Sequence, residues 1–172
     1  MNMKEDPRAT LVKPSTIRLE RLLPGPIERV WAYLTESKKR ATWLAAGEFD
    51  LRVGGKVELI FDNDKLSDDA PKGGGTRRFE GWITRLEPLR ALAYTWNWDG
   101  KDTEVLYELT PKGKDVLLTI VHRLPEGGGM INGVGAGWAV HAGILADQLN
   151  GVKPRPFWTT HDRLMKEFEA SL

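Results

Sequence analysis

Apolar positions along the chain change period several times, and each change marks an element. In TIRLERLL (Thr16 to Leu23), Ile17, Leu19 and Arg21 alternate with Arg18, Glu20 and Leu22, an imperfect strand pattern. A turn at PGP leads into IERVWAYLTES, where Ile27, Val30, Trp31 and Leu34 recur at helical spacing and predict one apolar stripe. Pro26 suits a first-turn position, where its missing N–H costs nothing. Ser37 is a candidate cap for a second short helix, KKRATWLA.

From Gly47 the period becomes two. Phe49, Leu51 and Val53 alternate with Asp50 and Arg52, Gly54-Gly55 makes a tight turn, and Val57, Leu59 and Phe61 return, which predicts a hairpin. The polar stretch DNDKLSDDAPKGGG reads as a solvated loop. Its Asp62-x-Asp64 opening resembles a calcium loop, but Leu66 follows and no Gly-x5-Glu completes the motif.

Further strands are predicted over TRRFEGWITRLE, ALAYTWNWD, TEVLYELT and DVLLTIVHRL, with turns at Pro88, Gly100 and Pro111 to Lys114. Leu92, Tyr94, Trp96 and Trp98 share one face, as do Val105, Tyr107 and Leu109, and Leu118, Ile120 and His122. A long helix then places Val134, Trp138, His141 or Ala142, Leu145 and Leu149 on one side. A last helix begins near Thr159 or Thr160, with Leu164, Met165, Phe168 and Leu172 as its apolar face. Hairpin-length connections make the sheet mostly antiparallel, and one long helix covers it, so the class is α+β.

Composition narrows the function. The chain has 172 residues, enough for one domain and one core. Its 25 basic residues balance 24 acidic ones, and no basic run exceeds Lys38-Lys39-Arg40, so no nucleic-acid partner is expected. With no cysteine, disulfides, thiolate metal sites and thiol catalysis are excluded. The opening MNMKEDPRATLVKPS is too polar for a signal peptide, and no apolar run is long enough to span a bilayer. Residues 1–15 read as a mobile arm, and the expected location is the cytoplasm.

HRLPEGGGMINGVGAGWAVHAGILADQL runs from a strand through glycines into a helix, the usual spelling of a phosphate loop. The spacing is wrong for one. Gly133-x-Gly135-x-Gly137 is not Gly-x-Gly-x-x-Gly, no Gly-Lys-Ser/Thr follows, and the preceding strand belongs to a meander. Two readings remain for the helical glycines: close packing of a thin helix, or a hollow left above it. Gly127 to Gly129 read as a flexible loop.

Nothing points to metal or cofactor chemistry. His122, His141 and His161 are too far apart to make a His-x3-His pair, no Gly-x-Ser-x-Gly elbow exists, and no acid pair shares an inward face. No metal and no cofactor are expected.

The segments ERVWAYLTES…TWLA, FDLRVGGKVELIF, FEGWITRLEPLRALAYTWNW, YELTPKGKDVLLTIVHRLP and GWAVHAGILADQL fall in the order of START-like, or SRPBCC, proteins. More narrowly, they resemble the branch named after the activator of heat-shock protein 90 ATPase. The resemblance covers residues 16 to about 151; its most specific marks are Asp50-x-Arg52-x-Gly54-Gly55 and the Gly-Trp entry to the long helix. The tail RPFW…HDRLMKEFEASL resembles a bacterial subgroup. It implies a helix-grip fold: a bent antiparallel sheet of about six to seven strands around the long C-terminal helix, two short helices after the first strand, and an extra terminal helix. The domain would span 16–151 and the extension 152–172. The resemblance also implies a cavity between sheet and helix, gated by the two short helices.

If that cavity exists, Leu59, Phe61, Tyr94, Trp96, Trp98, Tyr107, Leu118, Ile120, His122, Trp138 and Ala142 are the candidates to line it; each also suits a filled core. Seven tryptophans suit an apolar ligand with a few polar handles. The leading reading is therefore binding of a small hydrophobic molecule. The alternative is a cyclase- or hydrolase-like enzyme, with His122 or a tyrosine as acid or base. A structural, hydrogen-bonded role for His122 is the competing account, His141 shares the buried face of Trp138, and His161 reads as a surface residue. A chaperone-interacting module comes third: eukaryotic activators carry an additional N-terminal domain where this chain has only its arm, so no ATPase stimulation is expected. An edge strand or the terminal helix offers a surface for a homodimer.

Overall fold

A computed structural model describes residues 9–13, 15–98, 100–125 and 131–171. The elements run β1 (Thr10–Lys13), β2 (Thr16–Pro24), α1 (Ile27–Thr35), α2 (Ser37–Arg40), β3 (Lys56–Phe61), β4 (Arg77–Glu87), β5 (Ala91–Trp98), β6 (Lys101–Lys112), β7 (Asp115–Arg123), α3 (Ile131–Leu149) and α4 (Phe157–Ser171). All strand pairings are antiparallel, in the order β1-β2-β7-β6-β5-β4-β3. This is an α+β helix-grip fold, the sheet curling around α3.

Register makes the concave face continuous. Ile17 pairs with His122, His122 with Val105, Val105 with Tyr94, and Tyr94 with Ile83, so one row of buried side chains crosses five strands. The period-two alternation predicted for β2 is realised: Arg21 is buried beside Ile17 and Leu19, while Leu22 points outward. On α3, Val140, Ala142, Ile144 and Leu145 are all inaccessible. A helix enclosed on several sides needs no polar stripe.

β4 changes partner midway. Residues 77–82 pair with β3, and residues from Ile83 onward pair with β5, with a register break between Ile83 and Arg85. Gly81 lies at the transition, where a Cβ would sit 1.6 Å from the Thr95 carbonyl oxygen. Only glycine permits that approach, and beyond it β3 and the start of β4 peel away from β5.

Several local expectations differ from the structure. Residues 10–13 of the expected arm form β1, paired with β2. Pro26 precedes α1 as its N-cap residue rather than standing inside the first turn. Ser37 begins α2 instead of capping it, because its hydroxyl accepts the Gly47 N–H at 2.9 Å. The predicted hairpin is realised only irregularly: residues 46–50 run antiparallel to β3, with bridges at Ala46 and Phe49 and backbone bonds from Glu58 N to the Glu48 carbonyl and from Asp50 N to the Lys56 carbonyl, but Leu51 and Val53 are exposed.

Arg40 holds the side of this segment turned away from β3. Fully buried, it donates to the carbonyls of Leu34, Thr35, Ala45 and Gly47, and its guanidinium lies 3.6 Å from the Phe49 ring centroid. The carbonyls of residues 45 and 47 face this side chain, while the alternate residues 46, 48 and 50 bond to β3 on the other side. Burial lowers the Arg40 pKa, while carbonyl oxygens and an aromatic face hold the cation in place.

Candidate functional site

The open corner between β3–β4 and β5 holds a cavity of about 470 Å³. That lies in the range of roughly 300–1,000 Å³ that takes up drug-sized ligands. Phe61, Phe79 and Trp96 line it from the sheet, Val134, Trp138 and His141 from α3, and Phe157, Trp158, His161 and Met165 from α4. Leu44, Asn63, Arg77, Glu169, Gly133 and Gly137 complete the lining.

Two groups of rings face the space. Phe61 stacks on Trp96 at 5.2 Å, and Phe79 and Trp138 meet Trp96 at an angle. Opposite them, Phe157 packs edge-on to Trp158 at 4.8 Å and parallel to His161. His141 touches both groups, through Phe61 and Phe157. Its Nδ1 donates to the Trp43 carbonyl at 2.7 Å, which leaves Nε2 as a lone-pair acceptor. Burial pushes its pKa down to about 4, so the ring is neutral at physiological pH.

The helical glycines divide by face. Gly133 and Gly137, one turn apart, line the cavity, and a Cβ on either would meet nothing within 4 Å. Gly135 and Gly143 are packing glycines: a Cβ would reach the Phe168 ring at 2.9 Å in one case and the Arg155 guanidinium at 2.7 Å in the other. Both readings of the glycine run therefore apply, to different residues.

α4, not α1 or α2, closes the cavity. Its first N–H groups are capped from the polar loop: Phe157 N donates to Ser67 Oγ at 2.8 Å, and Trp158 N and Thr159 N donate to Asp69 Oδ2 at 2.9 and 3.2 Å. Trp158 Nε1 donates to Asp64, and Lys72 pairs with Asp162. Burial alone would raise the Asp69 pKa, but the hydrogen bonds from Ser67 and the α4 backbone outweigh it and hold the carboxyl below its ordinary value. The linker into α4 is tied to α3 by Arg155, whose Nε and Nη2 grip both oxygens of buried Asp147 at 2.8 and 2.9 Å.

Of the residues named from sequence, Phe61, Trp96 and Trp138 stand on the cavity wall. Leu59, Tyr94, Tyr107, Leu118, Ile120, His122 and Ala142 are buried in the core and do not line it. The Trp98 side chain, Leu172 and Gly127 to Gly129 lie outside the described residues. His161 is half-buried on the wall rather than at the surface.

His122 sits one layer behind Trp96, whose ring stacks on it at 5.3 Å. Trp138 Nε1 donates to its Nδ1 at 2.9 Å, and its Nε2 lies 2.9 Å from Thr103 Oγ1. Thr103 in turn donates to the Trp96 carbonyl at 2.8 Å. Each group has one direction available, so His122 is a neutral imidazole protonated on Nε2. Burial lowers its pKa to about 3. Nearby, the hydroxyls of Tyr94 and Tyr107 share one 2.6 Å hydrogen bond, and burial pushes Tyr94 up to about 12 and Tyr107 well above its usual value. These groups lie in the core behind the cavity wall.

The lining residues missed from sequence stand in the connections at Leu44 and Asn63, in the first half of β4, and on α3 and α4. Parity could have found two: Arg77 and Phe79 alternate in phase with inward-facing Gly81 and Ile83. The apolar face of α4, Met165 included, was readable, but nothing local showed that it closes the cavity. Among the described residues no group of three metal-ligating side chains occurs, and no helix is long and apolar enough to cross a membrane.

Residues 24–150 match the family model described as "Activator of Hsp90 ATPase homolog 1-like protein". The protein encoded by gene BPP1335 of Bordetella parapertussis is similar in structure, with a TM-score of 0.79 and 36% identity over 95% of this chain and 89% of that one. CV1439 from Chromobacterium violaceum follows the same fold, with a TM-score of 0.65 and 28% identity over 79% of this chain and 98% of its own. CalU16 from Micromonospora echinospora, at 24% identity and a TM-score of 0.69 over 90% and 86% of the two chains, shares the fold. No curated protein matches the chain.

Proposed function

We propose that this chain, which belongs to the activator of Hsp90 ATPase homolog 1-like family, binds a small hydrophobic molecule in the cavity beneath α4. The observation that carries this reading is the space itself: about 470 Å³ walled by rings from the sheet, α3 and α4, with glycines at 133 and 137 where side chains would fill it. A core built only for stability closes such voids, since each unfilled volume forfeits packing energy. Here the void persists beside six aromatic residues, Phe61, Phe79, Trp96, Trp138, Phe157 and Trp158, which offer a ligand large contact areas.

Titration with apolar fluorophores tests the reading. Saturable one-to-one binding is expected, with quenching of tryptophan emission, because Trp96, Trp138 and Trp158 stand on the wall. Absence of saturable binding across a broad panel of lipids and polyketides would overturn it. The enzymatic alternative has less support: both His122 nitrogens are hydrogen-bonded, and neither His122 nor Tyr94 nor Tyr107 lines the cavity.

A further inference from the structure

Resting on that reading, we infer that the cavity takes a planar aromatic acid, rings inward and carboxylate on Arg77. Exposure sets the orientation. The deep lining, Leu44, Phe61, Trp96, Trp138 and Phe157, is buried, whereas Arg77 and Glu169 are exposed and therefore stand at the mouth. A ligand with one apolar and one polar end enters apolar end first, leaving its polar end where water remains.

Shape follows from the walls. One aromatic group lies on the sheet and α3 side and the other on α4, so a guest between them meets ring faces and edges on both sides. Flat polarisable rings gain offset-stacked and edge-to-face contacts there that a flexible alkyl chain does not, and they lose less conformational freedom on binding.

Charge follows from Arg77. It pairs with Phe61 in the β3–β4 ladder and continues the inward parity of Phe79, Gly81 and Ile83, so its side chain leaves the same face as theirs. Among the described residues no carboxylate lies within 4.0 Å of its guanidinium, although neighbouring cations are matched: Arg78 to Glu58, Lys72 to Asp162 and Lys56 to Glu80. A guanidinium on a cavity rim presents a planar fork suited to a carboxylate. Glu169 shares the rim and has an interaction of its own. Its charge opposes an acid, so the net attraction is modest.

Anthracene carboxylic acid, its neutral carboxamide and dodecanoic acid separate these terms, with binding read by tryptophan quenching. The aromatic acid is expected to bind about tenfold more tightly than the carboxamide, the scale of one charge-assisted hydrogen bond at a partly wet site. Arg77→Gln, a change at an exposed strand end, should erase that preference without weakening the carboxamide, and Glu169→Gln should increase it. Equal binding of acid and amide, or a preference that survives Arg77→Gln, overturns the assignment while leaving a hydrophobic-ligand protein. Tighter binding of dodecanoic acid overturns its aromatic part in the same way. If neutral apolar fluorophores also fail to bind, the cavity reading falls and this one with it.

Discussion

Trp138 donates its indole N–H to Nδ1 of His122 across 2.9 Å, joining the long helix to the sheet through the one nitrogen that a general base would need free. With Nε2–H directed at Thr103, and Thr103 at the Trp96 carbonyl, the series runs in a single direction. Adding a proton to Nδ1 would set two donors against each other. This arrangement orients Trp96 and Trp138, two walls of the cavity, without itself lining it.

Thr103→Val leaves the His122 Nε2–H and the Trp96 carbonyl without their buried hydroxyl. A loss of about 1–3 kcal/mol in folding stability is expected, read as a lowered urea midpoint, while Thr103→Ser stays near the parent. Affinity for an apolar fluorophore should be unchanged in Thr103→Val, since Thr103 and His122 do not line the cavity. An affinity change at constant stability would contradict a purely structural role.

His122 and His141 set the acid limit. Their folded pKa values, about 3 and about 4, lie below the ordinary 6.5, with burial as the main cause for each. Below pH 6.5 the unfolded chain takes up protons that the folded state refuses. Stability is therefore full above that pH and erodes as pH falls towards about 4 and then about 3. Urea midpoints at about pH 7.5 and about pH 5 should differ accordingly, and equal midpoints would count against buried neutral rings.

The helical glycines should respond oppositely. Gly137→Ala adds a methyl into open space and removes a helix penalty, a gain of up to about 1 kcal/mol. Gly135→Ala drives its Cβ to within 2.9 Å of Phe168, so that gain is cancelled or reversed. Thermal midpoints of the two variants separate the cases. Gly137→Leu should fill the cavity and weaken fluorophore binding with the fold intact.

Asp69→Ala removes the acceptor for two α4 N–H groups and should cost about 1 kcal/mol, the usual value of a lost cap. Hydrogen exchange should quicken at Trp158 and Thr159 before it changes in β6 or β7. Ligand dissociation should quicken too, because α4 forms one wall. Unchanged exchange in α4 would mean that the hydrophobic contacts of Phe157 and Phe168 alone hold it.

The main strands and the helices were legible because each rests on local periodicity: Ile17 and Leu19 on β2, Tyr94 and Trp96 on β5, Val140 and Leu145 on α3. The candidate site was legible only in part. Phe61, Trp96 and Trp138 were named because inward parity is a local property. Tyr107 and Ile120 have the same parity, yet the core beneath α3 buries them away from the space. The predicted hairpin at Gly54-Gly55 was realised only in part, its first arm pairing irregularly with β3. Leu51 and Val53 alternate with Phe49 yet are exposed in the turn, and nothing in Lys38-Lys39-Arg40 marks which cation is buried.

Periodicity in the sequence determined an antiparallel sheet covered by one long helix, because alternation and helical spacing are set by neighbouring residues and their burial; the curl of that sheet came from the family resemblance. Tertiary structure decided where the interior stays open. Asp69 caps a helix that begins nearly ninety positions away, Gly135 and Gly137 serve opposite faces of one rod, and β4 leaves β5 at Gly81. Those outcomes depend on which distant groups meet, and long-range contacts of that kind leave no period in the chain.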